Sequence, residues 1–513
     1  MQAATKTPDS LPNDLAEAHA LIAELTKQLE RSERKVDALQ LRLEKLAHRL
    51  FGRSSEKGTG SDAQGVLAFD TSEGEVAIDT SDEAVVETEV KSHRRRKHPG
   101  RHALPEDLPR ETVELEPLPE DLQCKGCLAG KEQIGADRTE TLEYVPASFF
   151  IREYVRPKYA CRSCENGVVQ ASLPHRPIEK GRPEPGLLAH VVSSKYADHS
   201  PHYRQEQIFA RHGVYVTRRT LSEWSGAVAD LLEPVARTIF AQILESRWIQ
   251  SDDTPIEVRD PAESPQYRNG HMWVYRGEQG DVGYDFTWKR NRDGPARILE
   301  GYRGYLQADA APAYDDIYAG NEQIIEVGCW AHARRYFKDA VSSEALAATQ
   351  VLTWIGELYG VERHAKREKL DESARLELRH SRARPVLGKL HAYLLAQQQR
   401  VLPKSPVAKA IGYALRQWRA LERYTEDGAL AIDNNGAERA IKPLVLGRKN
   451  WLFIGSEPAA HRTAVLLTLV NTCKAHQVDP FVYLRDVIER VSVHPISRID
   501  ELTPRRWKEL RQA

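Results

Sequence analysis

Long apolar runs are missing from this 513-residue chain, and so is a net charge of one sign. No stretch approaches the roughly 18 consecutive apolar residues that a membrane-spanning helix needs. The N-terminus "MQAATKTPDSLPND" lacks the basic start and apolar core of a secretion signal. We therefore expect a cytoplasmic protein with no membrane partner. The formal net charge of −1 neither favours nor excludes a polyanionic partner, because what matters for nucleic acid is where the charge lies.

Charge is strongly segregated along the chain. Residues 58–90 contain nine Asp or Glu and no Lys or Arg, which is the composition of a linker. The next stretch, "KSHRRRKHPGR" at residues 91–101, carries six Lys or Arg and no acid. We predict that residues 53–101 form an acidic linker that shields a basic arm until DNA displaces it. A solvated basic tail is the alternative. The predicted DNA contacts of the arm are Arg94, Arg95, Arg96 and Lys97.

Near the N-terminus, apolar residues recur in alternating steps of three and four. This pattern predicts a coiled coil over residues 12–52, about five heptads long, with Ser32 as its one polar seam residue. Because a solitary helix would leave so regular a stripe in water, we expect a homo-oligomer, in the simplest case a dimer. A helix that folds back on its own protein is the alternative. The seam comprises Leu15, Ala18, Ile22, Leu25, Leu29, Ser32, Val36, Leu39, Leu43, Leu46 and Leu50.

Cysteine is scarce, at six residues, yet four of them form two Cys-x-x-Cys pairs. "CKGC" and "CRSC" flank a β-rich stretch that can bring them together as a hairpin. In a reducing compartment such pairs indicate metal rather than disulfides. Four thiolates form a closed tetrahedral Zn²⁺ site, so we predict a structural zinc ion within residues 102–180. Four unliganded thiols are the alternative. The predicted ligands are Cys124, Cys127, Cys161 and Cys164.

Two amphipathic stretches flank "RHGVYVT" within residues 181–240. Gly213 suits a turn, and Thr217 is placed to cap the helix that follows. This layout predicts a helix-turn-helix in which Arg218 and Arg219 enter the major groove of DNA or contact its phosphates. A plain helical hairpin is the alternative.

After residue 245 the pattern changes to three strands, a helix and further strands, which is the order of a ribonuclease-H-like α/β sheet. Asp252 and Asp309 each follow such a strand, and Glu438 lies in "IDNNGAERAIKPL" at the start of a later helix. Each acid has an ordinary explanation, since Asp favours turns and Asn435 with Glu438 resembles a capping box. Gathered by the fold, however, three carboxylates could hold Mg²⁺ for phosphoryl transfer.

Residues 341–430 are largely helical by pattern and predict an all-helical insertion between the second and third acids. The catalytic core would then comprise residues 245–340 and 431–490, with a C-terminal tail at 491–513. Trp418, on an apolar stripe of the insertion, is predicted to pack in its core. Basic residues near the acids are predicted to contact DNA phosphates, with a solvated helix face as the alternative. They are His332, Arg334, Arg335, Lys442, Arg448 and Lys449.

The blocks "SDDTPIEV", "GYLQADAAPAY", "CWAHARRYF" and "IDNNGAERAIKPLVLGRKNWLF" resemble, in this order, those of the insertion-sequence-66 family of DDE transposases. "LFGRSSEK", the two cysteine pairs and "KYADHSPHYRQEQIFARHG" resemble that family too. The resemblance implies a nucleoid-associated transposase that binds the ends of its element, cuts the DNA and joins the freed 3′ ends to target DNA. It also leaves companion proteins of the same element as candidate partners.

By position, the resemblance implies that Asp252, Asp309 and Glu438 bind two Mg²⁺ ions, or Mn²⁺ in their place. The family commonly has Asp-Glu-Thr-Pro where this chain has "DDTP", so Asp253 is the alternative first ligand. The expected fold is thus a multidomain α/β protein. Two other functions stay open from the residues alone: a non-catalytic sequence-specific DNA-binding protein, and a ribonuclease-H-like nuclease that cuts without joining.

Overall fold

The computed structural model describes residues 148–155, 158–160, 168–170, 175–178, 181, 183–260, 266–320 and 323–512. The predicted coiled coil, acidic linker and basic arm lie outside the described residues, as do all four cysteines of the predicted zinc site. In the described part of the zinc-binding segment, β1 (Lys158–Ala160) pairs antiparallel with β2 (Val168–Gln170). In the sequence, this hairpin encloses the second cysteine pair.

In the described part of the chain, three helices precede the main sheet, and the turn predicted at Gly213 separates the second from the third. Gly213 has a φ of +75°, which glycine adopts without steric cost. Thr217 caps the next helix, because its hydroxyl accepts a hydrogen bond from the Thr220 N–H at 3.3 Å. Both local predictions are confirmed. The helices are α1 (Pro185–Tyr196), α2 (His202–Arg211) and α3 (Arg218–Leu244).

Helix α3 joins this helical segment to the sheet. Its 27 residues make it about 40 Å long. Near its start, Leu221 packs in a small core with Val191 and Phe209. Near its end, the ring of Phe240 packs edge-on against Tyr275 of the sheet, with 6.1 Å between the ring centroids. One continuous helix therefore anchors the helical segment to the sheet.

The main sheet has five strands in the order β5-β4-β3-β6-β7. The pairs β3–β4 and β4–β5 are antiparallel, whereas β3–β6 and β6–β7 are parallel. A helix follows β5, as the sequence pattern predicts, whereas the helix that follows β6 is not part of that pattern. The elements are β3 (Trp248–Arg259), β4 (Tyr267–Gly277), β5 (Val282–Thr287), α4 (Asp293–Ile298), β6 (Gly304–Gln307), α5 (Pro312–Gly320) and β7 (Ile324–Val327).

An all-helical segment follows β7 and has a hydrophobic core of its own. Trp418 packs edge-on against buried Trp330, with 6.0 Å between the ring centroids, and stacks on His391 at 4.4 Å. The prediction that Trp418 belongs to a core is confirmed. The α-helices are α6 (Trp330–Ala340), α7 (Ala345–Arg367), α8 (Glu372–Leu378), α9 (Arg384–Gln398), α10 (Pro406–Arg416) and α11 (Trp418–Glu422), with a π-helical turn at Arg379–Ala383.

Four helices follow the insertion, and the first two of them pack against the sheet. The threonines of one of them cover the edge strand β5: Thr468 accepts a hydrogen bond from the Tyr284 N–H at 2.9 Å, and Thr472 accepts one from the Val282 N–H at 3.1 Å. These bonds satisfy edge groups that would otherwise be open to pairing with another chain. The helices are α12 (Asn435–Trp451), α13 (Glu457–Ala475), α14 (Pro480–Arg490) and α15 (Pro504–Gln512).

The two faces of the sheet carry different helices. Tyr284 donates a hydrogen bond to the Ala440 carbonyl, so α12 lies on the face of β5 to which Tyr284 points. The rings of Trp273 and Tyr314 pack edge-on, so α5 lies on the other face. Among the described residues, no helix is long and apolar enough to span a membrane.

Candidate active site

The candidate site lies where β3 and β6 stop pairing. The last paired residues of the two parallel strands are Gln250 and Gln307. Asp252 and Asp309 each come two residues later, so the strand register brings both acids to the same level of the sheet. The prediction that each acid follows a strand is confirmed for Asp309 and is wrong for Asp252, because β3 continues to Arg259 through its pairing with β4. Only the register puts the two acids side by side.

Buried amides tie these two strands to the segment that begins α12. Gln250 donates to Gln307 Oε1 at 2.8 Å and to the Asp433 carbonyl at 3.0 Å. Asn434 donates to the Ser251 carbonyl at 2.8 Å. A Cβ at Gly436 would lie 1.9 Å from Gln250 Oε1, so only glycine allows this approach. The sequence "DNNG" therefore positions the start of α12 directly on β3.

The start of α12 differs from the predicted capping box. Asn435 is the first helical residue rather than the cap, and the side chain of the cap residue, Asn434, makes no capping hydrogen bond. The Asn435 side chain instead donates to Asp433 Oδ2 at 2.7 Å. The same carboxylate oxygen accepts a hydrogen bond from Tyr359 of α7 at 2.8 Å. The capping prediction is wrong because the asparagines bond to β3 and to Asp433, and this network links the helical insertion to the helix of Glu438.

Asp252 points toward α12, and its environment is unfavourable for a charge. Burial raises the pKa of Asp252 to about 7. The Asp253 N–H, which donates to Asp252 Oδ1 at 2.8 Å, lowers that pKa, whereas the negative charges of Asp309, Asp253 and Glu438 raise it. No ion pair joins Asp252 to a cationic side chain in the described part of the chain. Asp309 and Glu438 thus both lie within electrostatic reach of Asp252.

Asp253 points to the opposite face of β3, where it is fully paired. Its partner across the strands is Trp273, whose ring packs toward α5. One oxygen of Asp253 accepts from Arg290 at 2.7 Å and the other from His271 at 2.8 Å. Arg290 also donates to Asp309 Oδ2 at 3.0 Å. Arg290 and His271 carry no motif, and they become recognisable only through these contacts.

Glu438 lies opposite the start of α6. Its Oε1 is 3.9 Å from His332 Nε2 and 3.9 Å from Arg335 Nη2, and its side chain is 32% exposed. Burial lowers the pKa of His332, and the nearby charge of Arg335 lowers it further, while Glu438 raises it. Neutral His332 can accept a proton or donate one hydrogen bond at this position. The sequence predictions for His332 and Arg335 thus fall beside the third acid.

A divalent ion fits the chemistry of this donor set, although Arg290 pairs with Asp309, and His332 and Arg335 lie beside Glu438. In the regions that the structure describes, no group of three or more His, Cys, Asp or Glu is arranged to hold a metal ion as it stands. Arg290 holds Asp309 Oδ2, but Asp309 Oδ1 is buried and has no hydrogen-bond partner. A buried carboxylate oxygen without a partner, beside two further carboxylates, is a suitable ligand for Mg²⁺.

The other residues predicted to contact DNA differ in their exposure and in their contacts within the protein. Arg218 and Arg219 are exposed at the start of α3, where Arg219 pairs with Glu223 at 2.9 Å. Lys442 and Lys449 are exposed on α12. Arg448 donates to Thr254 Oγ1 at 2.9 Å and to the Pro255 carbonyl, so it ties α12 to β3.

Arg334 interacts with different residues from Arg335. Its charge acts on Tyr359, the partner of Asp433. The basic arm, with Arg94, Arg95, Arg96 and Lys97, lies outside the described residues.

Comparison with protein families defines the class of protein as a transposase. Residues 180–462, more than half of the chain, match the family described as "Transposase IS66 family". Residues 38–113 match "Transposase C of IS166 homeodomain", residues 121–165 match "zinc-finger binding domain of transposase IS66", and residues 468–505 match "IS66 C-terminal element". The chain belongs to the IS66 family of transposases. The predicted resemblance is confirmed.

Relatives from Sinorhizobium fredii extend this similarity to nearly the whole chain. Protein y4hP is 32% identical over 503 residues, which cover 92% of this chain and 89% of the relative. Protein y4jD is 35% identical over 79% of this chain and 81% of its own length, and y4qI is 37% identical over 74% and 73%. The family matches support DNA as partner and zinc as a bound ion, since the zinc-finger match contains all four predicted cysteine ligands.

Proposed function

We propose that this transposase cleaves DNA at the ends of its element and joins the 3′ ends to target DNA, with Asp252, Asp309 and Glu438 as its catalytic carboxylates. One observation carries the proposal: at the point where β3, β6 and α12 meet, half-buried Asp252 lies within reach of the charges of Asp309 and Glu438. Like charges gathered in a partly buried site are unfavourable unless a cation joins them. The unpartnered oxygen of Asp309 supports the same interpretation.

The topology supports a ribonuclease-H-like catalytic domain. Three antiparallel strands are followed by two parallel ones in the order β5-β4-β3-β6-β7, and the third acid arrives on a helix after the helical insertion. In this arrangement Asp309 follows the end of β6, and Asp252 lies within the adjacent parallel strand β3, just past the point where its pairing with β6 ends. Sites of α/β sheets commonly lie at such ends.

Two Mg²⁺ ions, or Mn²⁺ in their place, fit the three carboxylates because hard cations prefer oxygen ligands. When bound, the ions would neutralise charge on the phosphate and lower the pKa of a bound water. Asp252 and Asp309 would hold them from the sheet, and Glu438 from α12. Arg335 and His332 stand beside Glu438, where they can contact the scissile phosphate.

The same carboxylates serve both chemical steps in this proposal. Cleavage and joining differ only in which oxygen attacks phosphorus, that of water or that of the freed 3′-OH. Exposed Lys442 and Lys449 continue from Glu438 along α12, which supports a path for the DNA backbone beside the site.

The remaining modules would assemble the complex. In this proposal the coiled coil forms a homo-oligomer, Cys124, Cys127, Cys161 and Cys164 bind zinc, and the basic arm and the start of α3 contact DNA. Companion proteins of the element and association with the nucleoid belong to the same proposal.

A strand-transfer assay with the full-length protein tests the proposal. Pre-cut element ends with a free 3′-OH are incubated with Mg²⁺ and a target plasmid, and uncut ends are tested in parallel. We expect joined product from the wild type, and a loss of about a thousandfold or more for Glu438→Gln, because an amide is a poor Mg²⁺ ligand. Glu457→Gln, at the first turn of the next helix, is the matched control and should retain activity.

The assay also separates the alternatives. Cut ends without joined product would favour a nuclease, and retarded DNA bands alone would favour a non-catalytic DNA-binding protein. Full activity of Glu438→Gln would remove Glu438 from the site.

A further inference from the structure

Arg290 connects the two sides of the candidate site. It lies in the short loop between β5 and α4. Its Nε donates to Asp253 Oδ1 at 2.7 Å, and its Nη2 donates to Asp309 Oδ2 at 3.0 Å. His271 Nδ1 lies 2.8 Å from the other oxygen of Asp253. The result is a continuous chain of charge-assisted hydrogen bonds: His271, Asp253, Arg290, Asp309.

Asp253 is the buried anchor of this chain. Its side chain is 2% exposed, and both of its oxygens accept hydrogen bonds. A carboxylate this buried needs its partners, since an unpaired charge there would be strongly destabilising. With one oxygen directed at His271 and the other at Arg290, Asp253 fixes the plane of the guanidinium. It is therefore better suited to hold Arg290 than to bind a metal ion.

Asp309 needs such a support because it lies beyond the end of its strand. Strand β6 ends at Gln307, and α5 begins only at Pro312. The ladder of backbone hydrogen bonds therefore stops before Asp309. Arg290 takes Oδ2 and leaves Oδ1 buried without a hydrogen-bond partner. The two oxygens of the Asp309 carboxylate therefore have different environments.

We propose that Arg290 is a positioning residue that fixes the rotamer of Asp309 through Oδ2, so that Oδ1 is presented to a divalent cation, and that Asp253 and His271 hold Arg290 in place. This inference rests on the proposed function. Groups that orient a ligand in this way typically contribute a factor of 10 to 100 in metal affinity. The opposite role is a guanidinium that occupies the cation's own position. The two roles predict opposite effects of removing Arg290.

Mn²⁺ binding to the full-length protein without DNA separates these roles, measured by electron paramagnetic resonance of the free ion. The Mn²⁺ binding that is lost in Asp309→Asn is taken as binding at the candidate site. We expect Arg290→Gln to weaken that binding about 10-fold or more. Arg290→Lys should recover part of the affinity, because an ammonium keeps the charge but cannot span both carboxylates. His271→Gln is a milder variant that keeps Arg290 and should weaken binding less.

Arg490→Gln is the matched control. Arg490 and Asp486 form an ion pair at 2.6 Å with exposures of 45% and 22%, close to the 42% and 21% of Arg290 and Asp309. Its removal should leave Mn²⁺ affinity unchanged. Circular dichroism melts of each variant identify any that fail to fold, in which case Arg290→Lys and His271→Gln decide the question.

The outcomes distinguish this inference from the proposed function. Unchanged or tighter Mn²⁺ binding in Arg290→Gln, with the Asp309-dependent site intact in the wild type, overturns the positioning role alone. Tighter binding would identify Arg290 as a competitor of the cation. If Asp309→Asn loses no Mn²⁺ binding, the proposed function fails and this inference fails with it.

Discussion

Asp252 and Asp253 are neighbours in sequence, yet they lie on opposite faces of β3 and their carboxylates have very different partners. Asp253 is buried with a cation or an imidazole on each oxygen. Asp252 is half-buried on the face that α12 covers, where it accepts a hydrogen bond from the Asp253 N–H and experiences the repulsion of three other acids. We interpret this difference as support for the proposal that Asp252 binds a ligand that is not part of the chain.

The largest expected effect that tests this comparison is on DNA cleavage. Asp252→Asn should reduce the cleavage rate about a thousandfold or more, because it removes a metal ligand. Asp253→Asn should reduce it about 10- to 100-fold, because it only loosens Arg290. The rates are measured on element ends at saturating Mg²⁺. If Asp253→Asn abolished cleavage while Asp252→Asn cut normally, the roles of the two faces would be reversed.

The second effect is on stability, and it should have opposite signs for the two acids. In the unfolded chain Asp252 ionises above about pH 4, whereas in the fold its pKa is about 7. A raised pKa in the fold means that the unfolded state loses its proton first, so stability falls as pH rises from about 4 to 7. Asp252→Asn should therefore stabilise the metal-free protein at pH 8, by on the order of 2–4 kcal/mol.

The same stabilisation should vanish near pH 4, where Asp252 is protonated in the fold. Asp253→Asn should instead destabilise the protein at pH 8 by about 1–3 kcal/mol, since it breaks a buried pair. Thermal melts in the presence of a chelator at pH 8 and pH 4 measure both variants. A lower melting temperature for Asp252→Asn at pH 8 would mean that its carboxylate is not strained by burial.

The smallest effect concerns Glu438, whose helix α12 is linked to the helical insertion by the hydrogen bond from Tyr359 to Asp433. Tyr359→Phe removes the hydrogen bond to Asp433 and leaves the bonds from Asn435. We expect a stability loss of about 1 kcal/mol and a decrease in cleavage of less than about 10-fold. Tyr393→Phe, whose ring packs on Trp354 in the same insertion, is the control and should change neither. Equal effects of the two variants would show that the Asp433 network does not position α12.

Local signals in the sequence predict the elements but not the contacts of the site. The positive φ of Gly213 and the Thr217 cap follow from residue type and spacing, and both are confirmed. Alternation along β3 predicts that Asp252 and Asp253 face opposite sides. It cannot tell which side α12 will cover, because that depends on packing between segments almost 200 residues apart.

The contacts of Arg290 could not be predicted from the sequence either. It stands in a loop with other basic residues, "KRNR", and nothing in that string distinguishes it. Its role depends on Asp253 and Asp309, which come from two different strands. The wrong capping prediction has a similar cause, since the asparagine at the start of α12 bonds to a carboxylate that the helix pattern does not include.

The anomalous scattering of Mn²⁺ in crystals of the protein bound to its element ends tests the central claim most directly. The account predicts Mn²⁺ at roughly 2.0–2.4 Å from carboxylate oxygens of Asp252, Asp309 and Glu438, with Arg290 still on Asp309 Oδ2. Mn²⁺ bound by Asp253 in place of Asp252, or a cluster that leaves Glu438 without contact to the ion, would contradict it.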